Sequence, residues 1–262
     1  MNNREEILQQ FSKLLDVMDD LRAKCPWDKE QTMESIRSLT IEETFELSDA
    51  IIQKDLQEVK KELGDILLHI VFYSKIASET ETFDVGDVIE SLIAKLIRRH
   101  PHIYGDVEAN NSEKVKQNWE QIKLQEKGNK KNGILDGVPK GLTGIVKAYR
   151  MQEKASQVGF DWNNAEDAYK KVEEEWREFQ EATTQEERTA EFGDYLFALV
   201  NFARLSGVNP DDALELTNQK FLRRFKSIEA LAEEHGKGLH EMTLEEMDIL
   251  WDKVKLQERT QG

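Results

Sequence analysis

Glu43 and Glu46 stand three residues apart, and Glu62 and Asp65 repeat that spacing further along the chain. Residues three apart on an α-helix share a face, so two such helices packed antiparallel would gather four carboxylates into one space. At about 4 Å and an effective dielectric of about 20, each close pair of negative charges costs roughly 4 kcal/mol. A hard divalent cation removes that cost, and an all-oxygen ligand set suits Mg²⁺, with Mn²⁺ as a substitute. Any one of these pairs, taken alone, reads equally well as a solvated helix face of an acidic protein. The acids, however, come twice. Glu42-Glu43-x-x-Glu46 returns as Glu174-Glu175-x-x-Glu178, and Glu62-x-Gly64-Asp65 returns as Glu191-x-Gly193-Asp194. That recurrence, each time beside an apolar stripe that must be buried, favours a metal site. A redox di-iron centre calls for Glu-x-x-His on two helices. None of His69, His100, His102, His235 or His240 has an acid three positions before it.

Cations follow each acidic pattern. Lys95-x-x-Arg98-Arg99 returns as Lys220-x-x-Arg223-Arg224, and the lysine and last arginine of each set lie four apart on one helix face. Arg grips phosphate oxygens in bidentate fashion and Lys acts as a point charge, so acids and cations together suit a polyphosphate bridging metal and protein. Salt bridging to surface acids is the ordinary alternative. Trp119 and Trp251 each precede a lysine, Lys123 and Lys255, by four residues. Each Trp–Lys pair reads either as a base-stacking ring with a phosphate contact or as a core anchor for the last helix of its copy.

The elements that must position these groups are themselves repeated. Trp119-Glu120-Gln121-Ile122-Lys123-Leu124-Gln125-Glu126 reappears as Trp251-Asp252-Lys253-Val254-Lys255-Leu256-Gln257-Glu258, and Cys25-Pro26-Trp27-Asp28 parallels Gly159-Phe160-Asp161-Trp162 more loosely. An ordered series of matches marks a duplication. It divides the chain into copies over 1–126 and 142–262, with the Gly/Lys/Asn-rich stretch 127–141 as a linker. Ile66, Leu67, Ile70 and Val71, like Tyr195, Leu196, Leu199 and Val200, form a buried helical stripe. Asp84 before Val85, and Asp211 after Pro210, are helix starts. No segment shows strand alternation beside hairpin turns. The expected fold is all-α, two tandem repeated helical bundles, with an apolar face left over that a dimer would cover.

Bulk composition agrees. Four prolines and 14 glycines in 262 residues favour long helices over a turn-rich β architecture. A formal charge of −16 argues against a nucleic-acid polymer as partner, yet permits a small phosphorylated ligand held through a metal. Cys25 is the only cysteine, which suits a reducing compartment. The charged N-terminus lacks the apolar core of a signal peptide, and the longest apolar run, Ile66 to Tyr73, is far too short to span a membrane. A cytoplasmic protein is expected.

Together these residues resemble the MazG family of nucleoside triphosphate pyrophosphohydrolases, within the all-α NTP pyrophosphatase superfamily. The resemblance covers nearly the whole chain and includes its duplicated layout. Cys25-Pro26-Trp27-Asp28-Lys29-Glu30-Gln31-Thr32, Arg98-Arg99-His100-Pro101-His102 and Val158-Gly159-Phe160-Asp161-Trp162 are its most specific blocks. It implies a homodimer, Mg²⁺ dependence and broad hydrolysis of canonical or aberrant NTPs and dNTPs, ATP among them, to monophosphate and pyrophosphate. Carried over residue by residue, it assigns Glu175, Glu178, Glu191 and Asp194 to the metal. Lys171, Lys220, Arg224 and Trp251 fall to the nucleotide, with Arg223 and Lys255 beside them. Glu174 is left as the acid that orients the attacking water.

The copies differ where specificity would lie. Asn201 and Asn218 of the second copy answer to Phe72 and Ile93 of the first, and an amide reads a base edge where an apolar residue does not. His69 is replaced by Ala198, and only the first copy carries His100-Pro101-His102. The second copy is therefore the expected catalytic centre. The first, with Glu43, Glu46, Glu62, Asp65, Lys95, Arg98, Arg99, Trp119 and Lys123, is a second candidate or a dimerisation element. Two rival readings remain open: a narrow dUTP- or dCTP-type pyrophosphatase, and a non-enzymatic helical adaptor with an acidic face for a basic partner.

Overall fold

The computed structural model describes residues 2–108, 111, 114, 115, 118, 119, 122 and 133–261. Among them the chain is all-α, with no strand. It divides into two compact units, Met1–Asn129 and Lys130–Gly262.

In the first unit, α1 (Arg4–Lys24) leads through the short α2 (Pro26–Glu30) to α3 (Met33–Gln53) and α4 (Leu56–Ser78), followed by α5 (Val85–Arg99) and α6 (Pro101–Tyr104). Side-chain caps fix the starts. Thr32 and Ser35 form a capping box for α3, and Asp84 and Asp87 one for α5, satisfying amides that have no partner inside the helix. Lys54 adopts a left-handed conformation (φ 59°) that ends α3, and Asp55 caps α4 directly, so the two helices double back on each other. The core between α1, α3 and α4 is Met18, Ile36, Val71 and Phe72, flanked by Leu39 and Leu68.

The second unit is also a set of helices joined by short turns. A 3₁₀ turn (Ile134–Gly137) precedes α7 (Gly144–Ser156), α8 (Ala165–Glu181), α9 (Gln185–Leu205), α10 (Pro210–Glu234) and, after a second 3₁₀ turn (Leu239–Glu241), α11 (Leu244–Gln261). Thr184 and Glu187 box the start of α9, while Asn209 caps α10 with Pro210 in its first turn. Its compact core lies between α10 and α11, where Ile228, Ala232, Leu250 and Val254 meet Trp251. Of the stretch expected to be a linker, 127–132 lies outside the described residues. The remainder is structured and, as shown below, reaches the site.

Candidate functional site

Helical periodicity sets the acids. On α8, Ala168, Val172 and Glu175 are buried at successive turns, so Glu175 continues an apolar stripe and is enclosed while Glu178 sits at its rim. On α9, Glu191, Asp194, Ala198 and Asn201 fall on the opposing face. One carboxylate oxygen from each of Glu175, Glu178 and Glu191 lies within 4.8 Å of the others. Glu43, Glu46 and Glu62 form the matching cluster between α3 and α4. In each unit the structure thus draws together three of the four expected acids. The fourth stands next to the trio: Asp194 lines a cavity with Glu175, and Asp65 exerts its charge on Glu43.

The electrostatics are those of a crowded acidic site. Desolvation, then the charge of Glu175, pushes the Glu178 carboxyl above the usual carboxylate range. Desolvation likewise raises Glu43, reinforced by Glu62. Glu62 is fully enclosed, and its Oε1 accepts a 2.8 Å hydrogen bond from Lys61, which holds its carboxyl low. Its Oε2 is buried without a partner. A cation supplies what these oxygens lack, and an all-carboxylate donor set fits a hard divalent ion. Each cluster already attracts an ammonium from its own unit, but from opposite helices. Lys171 of α8 reaches Glu175 at 2.6 Å and Glu174 at 2.9 Å, and these bonds raise its pKa. Lys61 comes from α4 in the first unit.

A cavity of about 600 Å³ opens beside the acids of the second unit. Lys171, Glu175, Asp194 and Asn201 line it at one side, and Met151, Phe160, Trp162 and Phe197 supply apolar and aromatic walls. Leu135, from the segment expected to be a linker, closes part of it. Gly159, at φ +84°, is in the left-handed region open to glycine, and it turns the chain out of α7 so that Phe160, Asp161 and Trp162 reach the cavity. Among the described residues the equivalent space of the first unit is filled. Positions matched through the repeat pair Ala168 with Ile36, Lys171 with Leu39, Ala198 with His69 and Asn201 with Phe72. Met18, Ile36 and Phe72 are the buried core of that unit, with Leu39 packed against it. His69 is buried too, and that burial lowers its pKa against the pull of Asp65.

The expected phosphate-binding cations are placed elsewhere in their units. Arg223 and Arg224 share one carboxylate, Glu258, at 2.9 and 2.8 Å, bracing α10 against α11. Trp251 packs on the second unit's core, 5.4 Å from the ring of Phe221, with the Arg224 guanidinium 5.6 Å from its ring centre. Asn218 donates to Glu215 at 3.1 Å and Lys255 to Asp252 at 3.1 Å, while Lys220 is exposed. In the first unit Lys95 and Arg98 are exposed on α5, and Arg99 lies 4.8 Å over the ring of Trp119. Lys123 is outside the described residues. Acids and cations are therefore each assembled, but the cavity lining contains only Lys171 and Arg204 as cations. Sequence reasoning missed Gln152, Phe197 and Arg204 as wall residues. The Phe160-Asp161-Trp162 block, with Asn201 and Lys171, was the signal that pointed there.

Comparison with known proteins bears on the same residues. A model of the MazG nucleotide pyrophosphohydrolase domain matches residues 31–104, which include the acids of the first copy. The chain is 44% identical over 94% of its length to a nucleoside triphosphate pyrophosphohydrolase/pyrophosphatase MazG of Thermotoga maritima, covering 95% of that protein. It is 38% identical over 96% of its length to a nucleoside triphosphate pyrophosphohydrolase of Escherichia coli K12, covering 99% of it. An uncharacterized protein of Bacillus subtilis, YabN, is 43% identical over 97% of the chain and about twice as long, the match covering 53% of it.

Proposed function

The chain belongs to the MazG nucleotide pyrophosphohydrolase family, and from that premise we propose that its second unit hydrolyses nucleoside triphosphates to monophosphate and pyrophosphate with Mg²⁺. It is a hydrolase acting on acid anhydrides. The observation that carries the reading is the adjacency, in one unit, of a three-carboxylate cluster and a cavity walled by aromatic residues and amides. A nucleotide needs both: a flat apolar slot for its base and a charged rim for its phosphates.

Glu175, Glu178, Glu191 and Asp194 would hold the metal. When bound, the ion neutralises phosphate charge and lowers the pKa of water. Lys171, already at the rim, is placed to meet a phosphate oxygen and offset the charge that develops as the α–β bond breaks. Glu174, half-exposed and paired with Lys171, is placed to orient the attacking water and take its proton. Arg224, Lys220 and Trp251 would join the phosphate chain as the family resemblance implies. Arg224 would then exchange part of its bond to Glu258 for phosphate. The exposed apolar side chains Trp176, Phe192 and Leu196 on α8 and α9 support a homodimer, since a monomer would leave that face in water. Scattering-detected gel filtration reads this directly, with a monomer as the contrary result. No described helix is long and apolar enough to cross a membrane.

The test is product analysis. Purified protein incubated with the eight common NTPs and dNTPs should release monophosphate and pyrophosphate only when Mg²⁺ is present. Release of orthophosphate and diphosphate instead would place the scissile bond elsewhere. Turnover of dUTP or dCTP alone would favour the narrow-specificity reading, and no turnover at all would favour the adaptor.

A further inference from the structure

Two side-chain amides face the cavity of the second unit, and the chemistry of their neighbours fixes which way each one points. Gln152, on α7, donates from Nε2 to the main-chain carbonyl of Phe197 at 2.8 Å. A carbonyl only accepts, so nitrogen must face it and oxygen must face away. That oxygen, Oε1, is buried with no partner, and the residue is 6% exposed. On α9, Asn201 Oδ1 accepts from Arg204 at 3.2 Å through Nε and at 2.7 Å through Nη2. A guanidinium only donates, so the oxygen must face it and Nδ2 is left over. Arg204 is itself held by Asp161. The clamp runs from the loop after α7 to α9 and presents Asn201 as a donor.

We infer that Gln152 and Asn201 determine base recognition, Gln152 as a fixed acceptor and Asn201 as a fixed donor for the edge of a purine or pyrimidine. This rests on the reading of the cavity as the nucleotide site. An orphaned buried acceptor is costly and calls for a donor from the ligand. Bases supply one: the amino group of adenine or cytosine, or the ring N–H of guanine, uracil or thymine. Each also carries an acceptor next to that donor, for Asn201. The pair thus discriminates base-like edges from other ligands while accepting every common base, which fits broad substrate use. The first unit lacks the donor, with Phe72 at the position that matches Asn201.

Adenine gives the cleanest test, because its exocyclic amino group is the only donor on the base. We would compare kcat/KM for ATP and for purine riboside triphosphate, which lacks that group, in the wild type and in Gln152→Met. A buried unmatched acceptor predicts a wild-type preference for ATP of about tenfold to a hundredfold. Gln152→Met should bring the ratio close to one. A purely structural role for the Phe197 bond would lower both substrates alike and keep the ratio, which overturns the assignment. So does a wild-type ratio near one, which decides the matter even if the variant fails to fold. Asn201→Ala should raise KM for ATP about tenfold with kcat little changed, and an unchanged KM removes Asn201 from the pair. Titrations of AMP and purine riboside monophosphate run alongside. Discrimination in binding without any hydrolysis would overturn the pyrophosphohydrolase reading and keep this one, and equal binding of both overturns this one.

Discussion

The two helical units of this chain carry matching acidic clusters, and they use the interior beside those acids differently. Both bring three glutamates within 4.8 Å between two antiparallel helices. Beyond the acids they part. Where the second copy has Ala168, Ala198 and Asn201 beside a cavity of about 600 Å³, the first has Ile36, His69 and Phe72 in or against a packed core. Small and polar residues open a ligand site at the expense of core, and large apolar ones restore the core at the expense of the site. A cluster of carboxylates is therefore not enough to identify a nucleotide site. The family model matches residues 31–104 of the first copy, which hold that acidic pattern without the cavity. The space next to that pattern separates the two copies.

The sharpest way to break the comparison is to remove one carboxylate from each cluster. Glu175→Gln should lower kcat by about a thousandfold or more, since it takes a ligand charge from an enclosed site, while Glu43→Gln should leave most turnover intact. The reverse pattern in steady-state assays would move catalysis to the first unit. Core and cavity should also respond oppositely to truncation. Phe72→Ala should cost about 3–5 kcal/mol in denaturant unfolding, and Asn201→Ala well under that. Equal losses would mean that the second unit's cavity is as structural as the first unit's core. Transferring the plug is next in size. Ala168→Ile should reduce kcat/KM about tenfold to a hundredfold by filling the base slot, and unchanged kinetics would remove the cavity from the account. Arg224→Ala should lower kcat/KM about tenfold, and no change would leave that residue a brace for Glu258 alone.

The smallest expected effect is on pH. A metal at the proposed site would need Glu178 ionised, and its raised pKa makes protons compete sooner than at an ordinary carboxylate. Mg²⁺ affinity should fall as pH drops, with proton release on binding. Calorimetry in buffers of different ionisation heat measures both, and affinity that rises on acidification would contradict the assignment.

The helices and the acids were legible in the sequence because both are periodic. Spacings of three and four set faces without any tertiary knowledge, and Asp84 caps α5 as expected, while α10 is capped by Asn209, two residues before the expected Asp211. Asn201 stood out because the repeat supplied Phe72 for contrast. The cavity was not legible. Its walls come from the 3₁₀ turn at Leu135, from α7, from the Phe160–Trp162 loop and from α9, and no local pattern joins them. Nor did spacing show that Arg223 and Arg224 share Glu258, because that carboxylate lies on the following helix. A linker composition also hid Leu135, whose contribution depends on where the turn docks rather than on what it is made of.

The most direct test counts nucleotides. With Mg²⁺ present, α,β-methylene ATP resists cleavage at the scissile position, so its binding can be followed to saturation. The account predicts one nucleotide per chain, lost in Ala168→Ile and retained in Glu43→Gln. Two per chain, or one that survives Ala168→Ile and disappears in Glu43→Gln, would contradict it.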